Sequence, residues 1–340
     1  MNIFELHKKT WSSLLARQGR LPHALLLIGQ KGLGKQLLAH EFAAFLLCES
    51  PTKAERACGQ CLACNWFSQG NHPDFRLLQP ESLSAENEGV EEGKKKPSQQ
   101  IVIEQIRTLD EFLGVGSHRN GLSIVLVNPA EAMNKNAANS ILKTLEEPPP
   151  NTLFLLVSSE PSRLLPTIRS RCQSVPIGLP TVALAQRVLA EAGISSPERW
   201  LALAGGAPRL ACELAGSTQT AWMDTLISRL ARGADADPLN CAGELDKLFR
   251  DSKGKLTLRQ IVEAFQKWII DLTLDKNGQP PRYFVEHQSK MRALTDMIPA
   301  DRLISLYRSM TRQRLEAEQP LNSRLFLEGV FLEYKALFNR

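Results

Sequence analysis

The sequence predicts an α/β domain followed by all-helical domains. Three short, continuous apolar runs, at residues 23–30, 123–127 and 152–157, have the length and composition of strands that are buried on both faces of a parallel sheet. Helical patterns separate these runs, as in doubly wound sheets with right-handed crossovers. Beyond Leu179-Pro180 the strand signal fades and only helical patterns remain.

Length and composition narrow the class of protein. A chain of 340 residues is long enough for two or three domains. With 43% apolar and 23% charged residues it cannot be disordered throughout, and a net charge of +5 is too weak to identify a nucleic-acid binder. Charged residues interrupt the first eleven positions, and no apolar run approaches the ~18 residues of a membrane span. We therefore expect a cytoplasmic protein that has no contact with a membrane.

The first strand leads into a glycine-rich turn. Residues 29–36 read GQKGLGKQ and match the phosphate loop GxxxxGK[ST] at every position except the last. Gly29, Gly32 and Gly34 would let backbone amides close around phosphate oxygens, and Lys35 would supply a positive charge. The alternative is a glycine turn that binds no ligand. The strand before the turn and the helical pattern after it favour the phosphate loop.

Two substitutions argue against ATP hydrolysis. Gln36 replaces the hydroxyl residue that would hold Mg²⁺, and Asn128-Pro129 follows the second strand where an acidic pair would bind the metal and orient water. Glu131 would restore a carboxylate only if the register of that strand were shifted. We therefore expect no intrinsic ATPase, while entry of ATP into the loop is left open by these substitutions.

Helical spacing continues between and after the strands. Residues 103–113 and 133–147 each carry one apolar face, and the prolines at 148–150 end the second helix. Residues 81–100 have no apolar periodicity and hold separate acidic and basic blocks. They are predicted to form a mobile, solvated linker.

Four of the seven cysteines predict a metal site. Their spacing, Cys48-x9-Cys58-x2-Cys61-x2-Cys64, offers four thiolates for a tetrahedral Zn²⁺, and a closed set of protein ligands indicates a structural role. An iron–sulfur cluster is the alternative, but no further cysteine follows within a few residues of Cys64. The residues between the ligands are neither basic nor aromatic, so stapling of a loop is favoured over binding of nucleic acid.

Several segments together resemble one known family. Residues 21–36, the cysteine cluster, residues 136–172 and residues 205–211 are similar to the delta prime subunits of the bacterial DNA polymerase III clamp loader, within the AAA+ superfamily. The resemblance implies an AAA+ domain at 1–178 with an inserted zinc loop at 48–64 and the mobile loop at 81–100. It also implies a helical lid at 179–216, a helical collar at 217–340, and a chain that does not hydrolyse ATP.

The resemblance also implies roles for two arginines. Arg171, in the family's Ser-Arg-Cys motif, would reach in trans into the ATP site of a neighbouring subunit as an arginine finger. Arg209 would be a nucleotide-sensing arginine of the lid. The alternatives are a surface ion pair for Arg171 and a purely structural contact for Arg209. Ser158 and Ser159 occupy the sensor-one region or simply end the third strand.

We therefore expect a non-hydrolysing stator subunit in a hetero-pentamer with gamma/tau motor subunits and a delta subunit. The resemblance also implies that the chain acts, through that complex, on the sliding clamp and on primer-template DNA in replication. An active ATPase subunit of the same complex is the first alternative. A zinc-dependent nucleic-acid binder on an ATPase-like scaffold is the second.

Overall fold

The computed structural model describes residues 2–52, 55–83, 97–114, 121–216 and 221–339. Most of the predicted mobile loop, residues 84–96, lies outside the described residues. Contacts between Cα atoms divide the chain into two compact units, residues 1–184 and 185–340. The three-domain division at residues 178 and 216 stays a prediction. Within the described part, none of the helices combines the length and the apolar character that crossing a bilayer would require.

The first unit is built on one parallel sheet, as predicted. Its strands are β1 Ala24–Ile28, β2 Phe75–Leu78, β3 Ser123–Val127, β4 Thr152–Ser158 and β5 Gln173–Pro176. Their spatial order is β2-β3-β4-β1-β5, and every pairing is parallel. The central strands are buried along nearly their whole length, which explains why they read as continuous apolar runs.

Helices join and cover these strands. They are α1 Ile3–Leu6, α2 Lys8–Leu15, α3 Lys35–Leu47, α4 Leu62–Ser68, α5 Ile103–Gly114, α6 Lys135–Glu146 and α7 Pro166–Arg171. Asn134 caps α6 by accepting a hydrogen bond from the amide of Ala137, which places the start of that helix two residues later than predicted. The sequence analysis missed β2, because only four residues pair there, at the edge of the sheet, and the middle two are exposed.

The sheet brings three chain segments to one edge. Ile28 pairs with Ser158, and Val127 pairs with Leu156 on the other side of β4. Because parallel strands end at the same side of a sheet, the residues that follow β1, β3 and β4 meet there. This edge holds the glycine loop.

The described residues of the second unit form helices and connecting segments, and none of them forms a strand. Helix α8, Val182–Glu191, begins three residues before this unit. The helices that follow are α9 Pro197–Leu203, α10 Pro208–Gly216, α11 Ala221–Leu230, α12 Pro238–Asp251, α13 Leu258–Lys276, α14 Gln288–Thr295, α15 Ala300–Glu316 and α16 Ser323–Ala336. The long helix α13 packs against α14 and α15, and α12 packs against α16. At the centre, the indole N–H of Trp268 donates to the hydroxyl of Tyr334 at 3.1 Å, and that hydroxyl donates to the carbonyl of Leu230 at 2.8 Å.

One buried carboxylate organises the loop that follows α13. Asp271 is fully buried and accepts hydrogen bonds from the amides of Arg282, Tyr283 and Phe284, at distances from 2.7 to 3.2 Å. Burial raises the pKa of Asp271, and the three backbone donors oppose that rise. The carboxylate therefore replaces the backbone acceptors that this loop lacks.

The Asp271→Ala variant is expected to lower the free energy of unfolding by roughly 3 kcal/mol, because it leaves these amides without their acceptor. Urea titration followed by circular dichroism measures the change. As a matched control, Asp251→Ala removes an exposed carboxylate at the end of α12 and should change stability by less than about 0.5 kcal/mol. Equal losses in the two variants would contradict the role assigned to Asp271.

Candidate functional site

The glycine loop runs from the end of β1 to the start of α3. Gly32 and Gly34 have φ of 82° and 80°, a conformation that strains residues with a side chain. A Cβ atom on Gly29 would lie 2.4 Å from the carbonyl oxygen of Ile177, so the loop passes directly against the segment after β5. The predicted loop therefore forms, and its glycines are required by backbone geometry.

The side chain of Lys35 folds back into this loop. Its Nζ donates to the carbonyls of Gly29 and Gln30 and to the hydroxyl of Ser159, each at 2.9 Å. Three hydrogen bonds use every proton of an ammonium group. Only 4% of Lys35 is exposed, and this burial lowers its pKa to about 8, although the charge of Glu131 opposes the shift.

Glu131 lies at the same edge of the sheet. A short 3-10 turn, Ala130–Ala132, follows β3, and it directs the Glu131 carboxylate to Ser159, whose amide donates to Oε1 at 2.9 Å. Strand β3 ends at Val127, as predicted, so its register is not shifted. Glu131 therefore approaches the loop without a shift in register, through a turn that the sequence analysis did not foresee. Whether it restores a magnesium-binding carboxylate is not tested by this contact.

The other substituted positions face different surroundings. Gln36 is exposed on the first turn of α3. Asn128 is buried, and its backbone N–H donates a hydrogen bond to the carbonyl of Leu78. Ser158 is fully buried as the last residue of β4, whereas Ser159 contacts both Lys35 and Glu131. Sequence analysis named both serines, but it could not tell which one faces the loop.

The N-terminal helices also contact the loop, which sequence analysis missed. The ring of His7 lies 2.6 Å from the carbonyl oxygen of Leu33, and since a carbonyl can only accept, Nε2 carries the proton. Burial lowers the pKa of His7. The side chain of Ile3 packs on Gly34, where a Cβ atom would lie 2.7 Å from Cδ1. No motif marks these two residues, because the contact joins segments about thirty positions apart.

The four predicted cysteines come together. The sulfur atoms of Cys48, Cys58, Cys61 and Cys64 all lie within 4.8 Å of one another. Cys48 and Cys61 are separated by 3.9 Å, and Cys58 and Cys64 by 3.8 Å. Zinc–sulfur bonds of about 2.3 Å in a tetrahedron place sulfurs about 3.8 Å apart, so this set fits a metal ion of that geometry.

Backbone amides point at the sulfurs. Those of Cys58, Gln60, Cys61 and Cys64 approach a cysteine sulfur at 3.3 to 3.4 Å. The amides of Gln60 and Cys61 lower the pKa of Cys58 to about 6, whereas burial raises the pKa of Cys48 and of Cys64. Cys61 also caps α4, and Cys48 follows α3 directly, so the cluster ties the ends of two helices together.

Arg171 is the last residue of α7. Its Nη1 donates to the carbonyl of Thr167 at 2.9 Å, and its Nη2 forms an ion pair with Glu146 at the end of α6. About a third of the side chain, 32%, is exposed. The ion pair weighed for Arg171 is thus present, and the trans role stays a prediction.

Arg209 lies on the first turn of α10, within the second unit. Its Nε lies 3.3 Å from Glu213 one turn later, and 46% of the side chain is exposed. Such i,i+4 pairs on helix surfaces contribute about 0.3–0.5 kcal/mol. The sensing role of Arg209 stays a prediction.

Fold and site together define a class. The first unit is an α/β domain of the AAA+ type, in which a strand, a glycine loop and a helix converge on a buried lysine, and it carries a four-cysteine cluster after that helix. The chain belongs to the family described as DNA polymerase III, delta subunit, which it matches over residues 7–180, just over half of its length.

Similar proteins carry the same kind of name. DNA polymerase III subunit delta' of Pseudomonas aeruginosa is 42% identical over 219 residues, covering 63% of this chain and 62% of that protein. The Escherichia coli protein of that name is 33% identical over 216 residues, covering 63% and 60%. The chain thus matches about 60% of the length of these relatives. A solved gamma subunit-related protein of Thermotoga maritima gives a TM-score of 0.49 at 20% identity, covering 97% of this chain and 100% of that one.

Proposed function

We propose that this chain is a non-hydrolysing stator subunit of the DNA polymerase III clamp loader. It would sit in a hetero-pentamer with gamma/tau motor subunits and a delta subunit and contribute Arg171 to the ATP site of a neighbour. The complex would load the sliding clamp onto primer-template DNA. We further propose the division into an AAA+ domain at 1–178, a lid at 179–216 and a collar at 217–340.

The state of Lys35 carries this proposal. All three of its ammonium protons are bound by protein acceptors, so none is left for a phosphate oxygen. Gln36 brings no hydroxyl to the loop, and the residue after β3 is an asparagine, which brings no carboxylate. Phosphoryl transfer depends on positioned metal and charge, so these replacements favour a chain without turnover of its own.

The position of Arg171 supports a role outside this chain. Its guanidinium lies at the end of α7 and is partly exposed, and its ion pair with Glu146 is of the surface kind, worth at most about 1 kcal/mol. A partner phosphate can therefore compete for it at low cost. The planar group offers several donors to a developing phosphoryl charge.

The relatives support the same assignment. The matched curated proteins are named as subunits delta', and a protein of Salmonella typhimurium named as subunit tau is 31% identical over 154 residues. We propose that the partners are those of such subunits. The proposed absence of ATP hydrolysis is argued from the residues of this chain and not from the names of its relatives.

One observation favours the alternative of an active ATPase. Glu131 places a carboxylate near Lys35, where a magnesium ligand would be needed. Purified chain incubated with Mg²⁺-ATP is expected to release no phosphate above background. Turnover comparable with that of a motor subunit, lost in Glu131→Gln, would establish the alternative and reject the stator.

Arg171→Ala in a reconstituted loader is expected to lower clamp- and DNA-stimulated ATP hydrolysis by about tenfold or more, because the neighbouring site loses a charge that stabilises its transition state. Phosphate release by the assembled complex measures the effect. Arg169→Ala, two residues earlier on the exposed face of the same helix, is the matched control and should retain activity. Glu146→Gln frees Arg171 from its ion pair and should also retain activity, whereas unchanged hydrolysis in Arg171→Ala would reject the finger.

We also propose that Cys48, Cys58, Cys61 and Cys64 hold one structural Zn²⁺. The sulfur spacing fits a tetrahedral ion, and the four amides directed at sulfur stabilise thiolates. All four positions are protein ligands, so the ion would join the ends of α3 and α4 and catalyse nothing.

Cys61→Ser is expected to lower bound zinc well below about one equivalent per chain and to lower the thermal midpoint of unfolding, since three thiolates hold the ion more weakly. Metal content is measured by mass spectrometry after dialysis. Cys212→Ser is the matched control: it removes a thiol outside the cluster, and the variant protein should bind as much zinc as the wild type. Full metal content in Cys61→Ser would show that the cluster does not bind zinc.

A further inference from the structure

An anion of this chain, Glu131, lies beside the phosphate loop. Ser159 joins two charged groups, because its hydroxyl accepts from Lys35 Nζ and its amide donates to Glu131 Oε1, both at 2.9 Å. The second carboxylate oxygen of Glu131, Oε2, is buried, and no hydrogen-bond donor in the described part of the chain reaches it. A buried carboxylate oxygen without a donor is costly unless a positive charge lies nearby.

Lys35 has the complementary need. A buried ammonium group is stable only with acceptors and a compensating negative charge. The acceptors are two carbonyls of the loop and one hydroxyl, all uncharged. Glu131 is the charge that acts on Lys35 in the direction of keeping it protonated.

We propose that Glu131 is a built-in counter-anion of Lys35, which takes the electrostatic place of a nucleotide phosphate and holds the phosphate loop in a closed, nucleotide-free state. This deepens the proposed function, on which it rests, by giving the physical reason why the loop does not use ATP. The class of ligand that Glu131 would exclude from the loop is the nucleoside triphosphates.

Competition between the two anions follows from charge. A triphosphate would have to draw the ammonium away from three satisfied acceptors and bring further negative charge beside Glu131. Both effects oppose phosphate binding, and the second depends on Glu131 being ionised. Loss of the carboxylate charge should therefore open the loop to ATP, although Lys35 itself is unchanged.

The test is equilibrium binding of radiolabelled ATP to the full chain, with and without Mg²⁺. Glu131→Gln keeps the size of the side chain and an oxygen acceptor for the Ser159 amide. It is expected to bind ATP at least about tenfold more tightly than the wild type, a factor that corresponds to roughly 1.4 kcal/mol. Glu160→Gln is the matched control. It removes the charge of the residue that follows Ser159, which pairs with Arg163, and this variant should bind ATP as the wild type does.

A second experiment tests whether the tighter ATP binding of Glu131→Gln depends on Lys35. In the double variant Lys35→Met with Glu131→Gln, ATP should bind no more tightly than it does to the wild type. Thermal unfolding of the same set should show that Lys35→Met costs less stability in the Glu131→Gln background than alone, because the two charges compensate each other. If Glu131→Gln alone does not fold, the double variant is expected to fold.

Three results would overturn the proposal. The first is equal ATP affinity in Glu131→Gln and the wild type, whether both bind or neither does. The second is weaker Mg²⁺-ATP binding in Glu131→Gln, which would make Glu131 a magnesium ligand. The third is a double variant that is no more stable than expected from independent effects. The arginine-finger experiment is separate, because a loader indifferent to Arg171 would reject the finger and leave the counter-anion intact.

Discussion

A buried ammonium group must find both hydrogen-bond acceptors and a balancing charge, and the first unit of this chain supplies both around Lys35. The acceptors come from the glycine loop and from the residue after β4, and the balancing charge comes from the turn after β3. Parallel pairing of β1, β3 and β4 brings these segments to one edge. The sheet, the glycine conformations and the closed loop are therefore parts of one arrangement, and the N-terminal helices cover it through Ile3 and His7.

The same domain separates two kinds of chemistry in space. Charge is concentrated at the sheet edge, whereas the four thiols lie beyond the far end of α3, the helix that starts at Lys35. A metal at the thiols would fix the end of α3 without entering the chemistry of the loop. Arg171 lies in a third place, at the end of α7, where it forms a partly exposed ion pair with Glu146. The stator role that we propose fits this layout, because Lys35 is fully bonded within its own loop while Arg171 is partly exposed at a separate place.

Sequence patterns located most of the fold. The strands at residues 24–28, 123–127 and 152–158 were predicted because central parallel strands are apolar on both faces. The edge strand β2 was missed, since four residues with an exposed centre carry no periodic signal. Local motifs likewise identified the glycine loop and the cysteine cluster, because in both cases the required residues are close together in sequence.

What the sequence by itself determined is the set of groups present and missing: a lysine after a glycine loop, no hydroxyl at position 36, four clustered thiols and an arginine in a family motif. Only the tertiary structure decided which groups meet. Glu131, Ser159 and His7 join the loop through contacts between residues far apart in the chain, and the direction of the turn after β3 set the place of Glu131. The physical reason is that side-chain charge and hydrogen bonding act through space, whereas periodicity reports only neighbours along the chain.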